Sequence, residues 1–238
     1  MTIRAVLFDV DGTLYRQPPL RLLMATELAT TSWVRHAPWN VPRLWRMLSV
    51  FRHVREELRA LGRPDQPLAR LQYTCAAERA DVPVGDMEGA VREWIYERPL
   101  KYLPRVVRPG VAEVLSQLDA RGLQVGVFSD YPVADKLEAM GLRALVSLEL
   151  DATAEAINAF KPHPRGLAVA CQHWGLPPGD VLYVGDRADV DARSAAAAAM
   201  PCAIVGGSNA RDAAAWPHTL LKDMRDLPTH IDRIEGAR

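Results

Sequence analysis

The sequence predicts an α/β protein, a three-layer, Rossmann-like parallel sheet core carrying an inserted all-helical domain. Three observations lead there. Strand-like apolar runs alternate with helix-like ones from Pro109 onward. Residues 16–104 hold four candidate helices and no convincing strand. Acidic, hydroxyl and basic residues recur just beyond the ends of the predicted strands. A chain of 238 residues is long enough for one domain with a substantial insertion, or for two modest ones.

Ile3 to Phe8 is mostly apolar and β-branched with turn residues after it, the pattern of a buried strand. Asp9 and Asp11 then leave its carboxyl end, where open parallel sheets bind ligands. Next comes the helical block. Residues 20–34 form one candidate helix, and Leu44, Leu48, Phe51, Val54, Leu58 and Leu61 make a long apolar stripe at helical spacing. Leu68, Leu71 and Cys75 continue a third, and Met87, Val91, Trp94 and Ile95 a fourth. Pro18-Pro19 on one side and Pro99, Pro104 and Pro109 on the other read as stiff connections. The core is therefore expected over residues 1–15 and 105–238, with a helical cap over 16–104.

After Pro109, Val111, Val114, Leu115 and Leu118 mark a helix stopped by Gly122. Leu123 to Phe128 is a strand ending in Ser129-Asp130, Pro132 to Met140 a helix, and Ala144 to Leu150 a further strand. Arg165 to Trp174 suits a helix, Val181 to Val184 a strand, Asp189 to Ala199 an alanine-rich helix and Ala203 to Val205 a strand. The tail adds a short strand and helix. Such alternation implies parallel strands with right-handed crossovers.

Composition is that of a soluble globular protein, 49% hydrophobic and 24% charged. Lys plus Arg and Asp plus Glu both number 29, which argues against nucleic acid as a partner. Cys75, Cys171 and Cys202 are far apart and not at metal-ligand spacing, as expected of buried thiols in a reducing compartment. No apolar stretch approaches the roughly 20 residues that span a bilayer, and the N-terminus runs into the first strand without a signal-peptide pattern. A cytoplasmic location is the default expectation. Charge is uneven locally: residues 16–63 carry nine arginines against Glu27, Glu56 and Glu57. That run reads as a lid steering an anionic substrate, as a solvated helix face, or as a surface for a partner such as a second copy of the chain. Trp33, Trp39, Trp45 and Trp94 are expected to pack helices together.

Taken singly, the candidate functional residues have ordinary readings. Asp9-Asp11 can be a turn, Ser129 a cap, Lys161 a surface charge and Gly185-Asp186 a strand-to-helix corner. In order they carry more. Asp9-Val10-Asp11-Gly12-Thr13-Leu14, Ser129 after a strand, Lys161-Pro162-His163-Pro164 and Gly185-Asp186-Arg187-Ala188-Asp189-Val190-Asp191 resemble the haloacid dehalogenase-like (HAD) hydrolase superfamily. The resemblance covers residues 1–15 and about 105–206, and the helical insertion resembles that superfamily's type 1 cap.

The resemblance implies a Mg²⁺-dependent phosphatase acting on a small phosphorylated metabolite. Asp9 would be the nucleophile, forming an aspartyl-phosphate, and Asp11 the general acid and then base. A second carboxyl beside Asp9 is expected to be raised by like charge, against which a lysine or metal would work. The Mg²⁺ ligands would be the Asp9 carboxylate, the Asp11 backbone carbonyl and the Asp186 carboxylate, with Asp191 orienting them. Gly12, Thr13, Ser129, Asp130 and Lys161 would bind the substrate. Asp130 departs from the asparagine often found there, and its carboxylate is expected to bear on the leaving group. His163 and Asp189 are expected at helix starts, without catalytic roles.

Other functions share parts of this chemistry. A haloacid dehalogenase attacks carbon with its aspartate and has no need of the second acid, so Asp11 and Asp186 speak against it. Phosphonatase and phosphomutase activities stay open on the same scaffold. A phosphoacceptor signalling domain takes phosphate on an aspartate after a later strand, whereas Asp9 follows the first. A catalytically silent binding protein would not need the acidic and basic positions intact.

Overall fold

A computed structural model describes residues 2–34, 40–206 and 215–236. Six strands make one sheet: β1 (Ala5–Phe8), β2 (Gln124–Ser129), β3 (Leu148–Asp151), β4 (Val181–Gly185), β5 (Cys202–Val205) and β6 (Thr219–Leu221). Every pair is parallel, in the order β3-β2-β1-β4-β5-β6. Chain direction across the sheet reverses between β1 and β4, and a crevice opens at such a switch point beyond the carboxyl ends of the strands.

Side-chain alternation explains why β1 has no polar face. Ala5 and Leu7 enter one core with Phe128, Tyr183 and Ile204, while Val6 and Phe8 enter a second with Val127, Leu182 and Val184. Both faces are covered, which is why the strand reads as a continuous apolar run.

Ten α-helices are seen among the described residues. Four follow β1: α1 (Gln17–Val34), α2 (Asn40–Ala60), α3 (Leu68–Ala80) and α4 (Val84–Val91). The chain continues helically through a π-type segment (Arg92–Glu97) and a 3₁₀ segment (Arg98–Tyr102) into α5 (Leu103–Val106). Then come α6 (Val111–Ala120), α7 (Ala134–Ala139), α8 (Arg165–Trp174), α9 (Arg193–Ala197) and α10 (Leu227–Gly236). α6, α7 and α10 cover one face through Leu115, Leu137 and Ile231, and α8 and α9 the other through Leu167 and Ala195. No described helix is long and apolar enough to cross a membrane. All three cysteines are free thiols, Cys171 and Cys202 buried and Cys75 partly so.

Several expectations need correction. Pro18, Pro19 and Pro104 do not form linkers; they sit in the first turns of α1 and α5, where a missing N–H costs nothing. The true crossing is a short antiparallel bridge between Tyr15 and Val107, with Arg16 N donating to Val106 O and Arg108 N to Leu14 O, each at 2.9 Å. The strand expected over Ala144 to Leu150 begins only at Leu148, after a 3₁₀ turn at Arg143–Leu145. The helix expected over Asp189 to Ala199 opens as a π-type turn, Ala188–Ala192, because Asp191 turns inward and accepts the N–H groups of Asp186 and Arg187. Trp94 does pack between helices, with Leu28 and Leu48, but Trp45 is 56% exposed. Arg35, Trp39 and the side chain of Trp33 lie outside the described residues.

Beyond the Tyr15–Val107 bridge, three side chains tie the inserted helices to the sheet. Asn158 Oδ1 accepts the N–H of Leu68 at 2.7 Å, and its Nδ2 donates to the carbonyls of Pro64 and Gln66, pinning the start of α3. Arg55 is buried between the rings of Tyr131 (3.9 Å) and Phe160 (4.2 Å) and donates to Gln72 Oε1 and to the carbonyl of Asp130. Arg59 donates to Asp130 Oδ2 at 2.6 Å and to the carbonyl of Lys161 at 2.5 Å. Burial pushes the Asp130 carboxyl up, but Arg59, Lys161 and Arg55 outweigh it and hold the group below its usual range. Two members of the arginine run are thus neither steering groups nor solvated charges.

Two stability predictions follow from this packing. A Cβ on Gly166 would lie 2.1 Å from the Phe128 ring, so Gly166→Ala should cost about 1–3 kcal/mol in urea denaturation as α8 is pushed from β2. Arg59→Met strands a buried carboxylate and should cost about 3 kcal/mol, while adding Asp130→Asn should recover much of it. Since the folded-state pKa of Asp130 is depressed, the pair's contribution is complete above about pH 4 and is lost as acid titrates through the lowered value. Denaturation midpoints of the Arg59→Met and wild-type chains should therefore converge on acidification.

Candidate active site

Asp9 continues the β1 ladder by donating its N–H to the carbonyl of Val184, and so enters the crevice at the switch point. Its Oδ1 accepts from Lys161 Nζ at 2.5 Å and its Oδ2 from Thr13 Oγ1 at 2.8 Å. Lys161 also reaches Asp191 Oδ1 at 2.8 Å and the hydroxyl of Tyr183 at 3.2 Å, and Tyr183 in turn donates to Asp191 Oδ1. Burial pushes the Lys161 ammonium down, yet Asp191 and Asp9 more than reverse that and it is held well above its usual value.

Asp186 follows β4 directly and comes within reach of the turn after β1. A Cβ on Gly12 would fall 2.0 Å from Asp186 Oδ2, and Gly12 has φ 106°, so this position suits only glycine. Arg108 secures the same turn by donating to the carbonyls of Gly12 and Thr13. Among the described residues no donor pairs with the Asp186 carboxylate. Burial and the neighbouring Asp191 push it up to about 7, against the pull of Lys161 and Arg187. Asp9 is likewise raised by burial and by Asp191, Asp186 and Asp11, which outweigh Lys161.

Asp11 has a different neighbourhood from the one expected. Its Oδ1 accepts from Lys136 Nζ at 2.5 Å and from the Tyr15 hydroxyl, and its Oδ2 from Ser129 Oγ at 2.8 Å. Burial raises the group, but Lys136, Tyr15 and Ser129 prevail and its pKa is lowered. Of the two opposing influences weighed from the sequence, like charge from Asp9 and a nearby lysine, the lysine prevails: Lys136, on α7, bonds Asp11 directly. Lys136 carried no motif, and nothing local marked it.

The crevice brings together Asp9, Asp11, Asp130, Lys161, Asp186 and Asp191 around a cavity of about 230 Å³. Some groups face elsewhere than expected. Thr13 spends its hydroxyl on Asp9, Ser129 spends its own on Asp11 while accepting the Tyr131 N–H, and the Asp130 carboxylate is taken by Arg59 and by the N–H of Lys161. His163 accepts the N–H of Arg165 at the start of α8, and Asp189 pairs with Arg187. Tyr15, Lys136 and Tyr183 are additions that only proximity reveals.

The donor set fits a divalent cation. Carboxylate oxygens of Asp9, Asp186 and Asp191 lie within 4.8 Å of one another, and among the described residues the cations bonded to them and to Asp11 are two, Lys136 and Lys161. Surplus negative charge, an unpartnered carboxylate and oxygen-only ligands suit a hard ion such as Mg²⁺. The Asp11 carbonyl accepts from Gln17 Nε2 at 2.6 Å and keeps a second lone pair.

Comparison with known proteins agrees with this architecture. A phosphoglycolate phosphatase of Escherichia coli (strain K12) is 28% identical over 217 residues, covering 82% of this chain and 78% of that protein. The structure of a 2-haloacid dehalogenase from Pseudomonas syringae pv. Tomato DC3000 superposes with a TM-score of 0.68 at 21% identity, covering 98% of this chain and all of that one (100%). The Bacillus subtilis HAD-hydrolase YfnB, solved bound to magnesium, matches with a TM-score of 0.66 at 12% identity over 98% of this chain and 100% of that one. At such identities the two structures speak for the fold. A model of the family described as haloacid dehalogenase-like hydrolase matches residues 3–199, and the chain belongs to that family.

Proposed function

We propose that the chain is a phosphatase that hydrolyses a small phosphate monoester by way of an aspartyl-phosphate on Asp9, with Mg²⁺ as its cofactor. One observation carries this reading: Asp9, Lys161, Asp186 and Asp191 converge in a single crevice at the carboxyl ends of the neighbouring strands β1 and β4. Similarity to phosphoglycolate phosphatases supports it. Asp9, the Asp11 carbonyl and Asp186 would hold the cation, with Asp191 positioning Lys161 and the turn at Asp186. When bound, such an ion offsets the charge between phosphate and carboxylate and polarises the phosphoryl oxygens.

The chain's own groups do the rest. Thr13 and Lys161 fix both oxygens of Asp9, aiming it for in-line attack and limiting its rotation. Lys161 offsets the charge that builds on the phosphoryl oxygens. Asp11, kept ionised by Lys136, is ready to take the proton of the water that cleaves the aspartyl-phosphate. For the first step Asp11 would take up a proton from solvent as the arriving phosphate dianion raises its proton affinity by like charge, and pass that proton to the leaving oxygen. Ser129 and Tyr15 hold the Asp11 carboxylate in place, and Ser129 would reach the substrate only by giving up that bond. The helical cap over residues 16–104 would exclude water from the cavity, to which it contributes Arg21, Arg52, Arg55 and Arg59.

Asp9→Asn should lower phosphate release by at least about 10³-fold with an unchanged circular dichroism spectrum; a fully active variant would remove Asp9 as nucleophile. Chelation should abolish turnover and Mg²⁺ restore it. Asp186→Asn should raise the Mg²⁺ concentration for half-maximal rate by at least about tenfold. An unaltered Mg²⁺ requirement would take Asp186 out of the metal site.

A further inference from the structure

We infer that the alcohol portion of the substrate is apolar, so that the preferred compounds are alkyl or aryl phosphate monoesters and not the phosphate of a short hydroxy acid. This rests on the phosphatase reading above and assigns the leaving-group side of the same site. A second cavity of about 470 Å³ opens directly beside Asp11 and shares Gln17, Arg21, Arg52 and Tyr131 with the catalytic crevice. It lies between α1, α2 and the segment leading to α5. Its volume falls among those of pockets that enclose small molecules, and far exceeds what a two-carbon acid fills.

Beyond the shared rim, the wall is hydrocarbon: Leu20, Met24, Leu28, Leu48, Trp94 and Leu103. Most of the charged and amide groups around it are engaged within the protein, leaving, among the described residues, the Tyr131 hydroxyl and the indole N–H groups of Trp45 and Trp94 as its neutral polar points. Tyr15 and Lys136 bond the Asp11 carboxylate, Gln17 bonds the Asp11 carbonyl, Arg21 bonds Gln17, and the Tyr96 hydroxyl meets that of Tyr73 at 3.1 Å. Among the described lining residues, Arg52 is the cation without a protein partner, and it stands on the rim common to both cavities, beside the phosphate position. Among the described residues a carboxylate deeper in would meet no free cation, which is costly, whereas methylene and ring carbons would be buried favourably. Trp45, 56% exposed at the lining, extends the apolar surface outward.

Phosphate release should be measured for methyl, butyl, hexyl and phenyl phosphate beside phosphoglycolate, using the full chain with Mg²⁺. The specificity constant kcat/KM should rise about threefold to fourfold per added methylene until the cavity is filled, and hexyl phosphate should exceed phosphoglycolate. Ala25→Trp, at an exposed turn of α1 on the cavity wall, should lower the hexyl-to-methyl ratio of kcat/KM by at least about tenfold. This ratio does not depend on how much of the variant folds. A flat response to chain length, an unmoved ratio in Ala25→Trp, or preference for phosphoglycolate overturns the inference while leaving the phosphatase reading intact. Release from none of the esters, with chloride released from a 2-chloroalkanoate instead, overturns the phosphatase reading and the inference together.

Discussion

Everything at the crevice depends on one buried ammonium. Lys161 is 3% exposed and bonds two carboxylates, Asp9 from the end of β1 and Asp191 from the turn after β4. Three charges out of water are stable together only because each satisfies another. The same residue also engages through its backbone, its N–H on Asp130 and its carbonyl under Arg59. The nucleophile candidate, the turn beyond β4, the end of β2 and helix α2 therefore share a single point of attachment.

Sheet order explains how so few residues can do this. β2, β1 and β4 are neighbours, and parallel strands end on the same side roughly 4.8 Å apart. Residues following them, Asp130, Asp9 and Asp186, are thereby delivered to one rim without any unusual loop. The glycine at position 12 then lets the first turn close against Asp186, and Arg108 clips that turn from below.

Opposed charge layers follow. The sheet supplies a carboxylate-rich floor, and α1 and α2 supply guanidinium groups above it. These arginines divide by burial: Arg55 is stacked between two rings and Arg59 is locked to Asp130, so both fasten helix to sheet. Arg52 keeps its side chain exposed at the rim. The apolar hollow beside Asp11 lies where that charged layer ends.

Much of this was legible in the residues themselves. Alternating apolar runs determined the parallel sheet, because a strand buried on both faces has no other composition available. Four short segments in order marked Asp9, Ser129, Lys161, and Asp186 with Asp191, all but Lys161 at or just beyond a strand end. Tertiary structure alone decided the partners. Lys136 meets Asp11 across 125 residues and Lys161 meets Asp9 across 152, separations at which no local pattern survives. It also turned Thr13 and Ser129 onto carboxylates, converted the boundary prolines into helix starts, and used Asn158 to hold α3. Composition and spacing record what a segment can become; which charge a buried carboxylate finally faces is set by packing, because only the folded chain removes the water that would otherwise serve any of them.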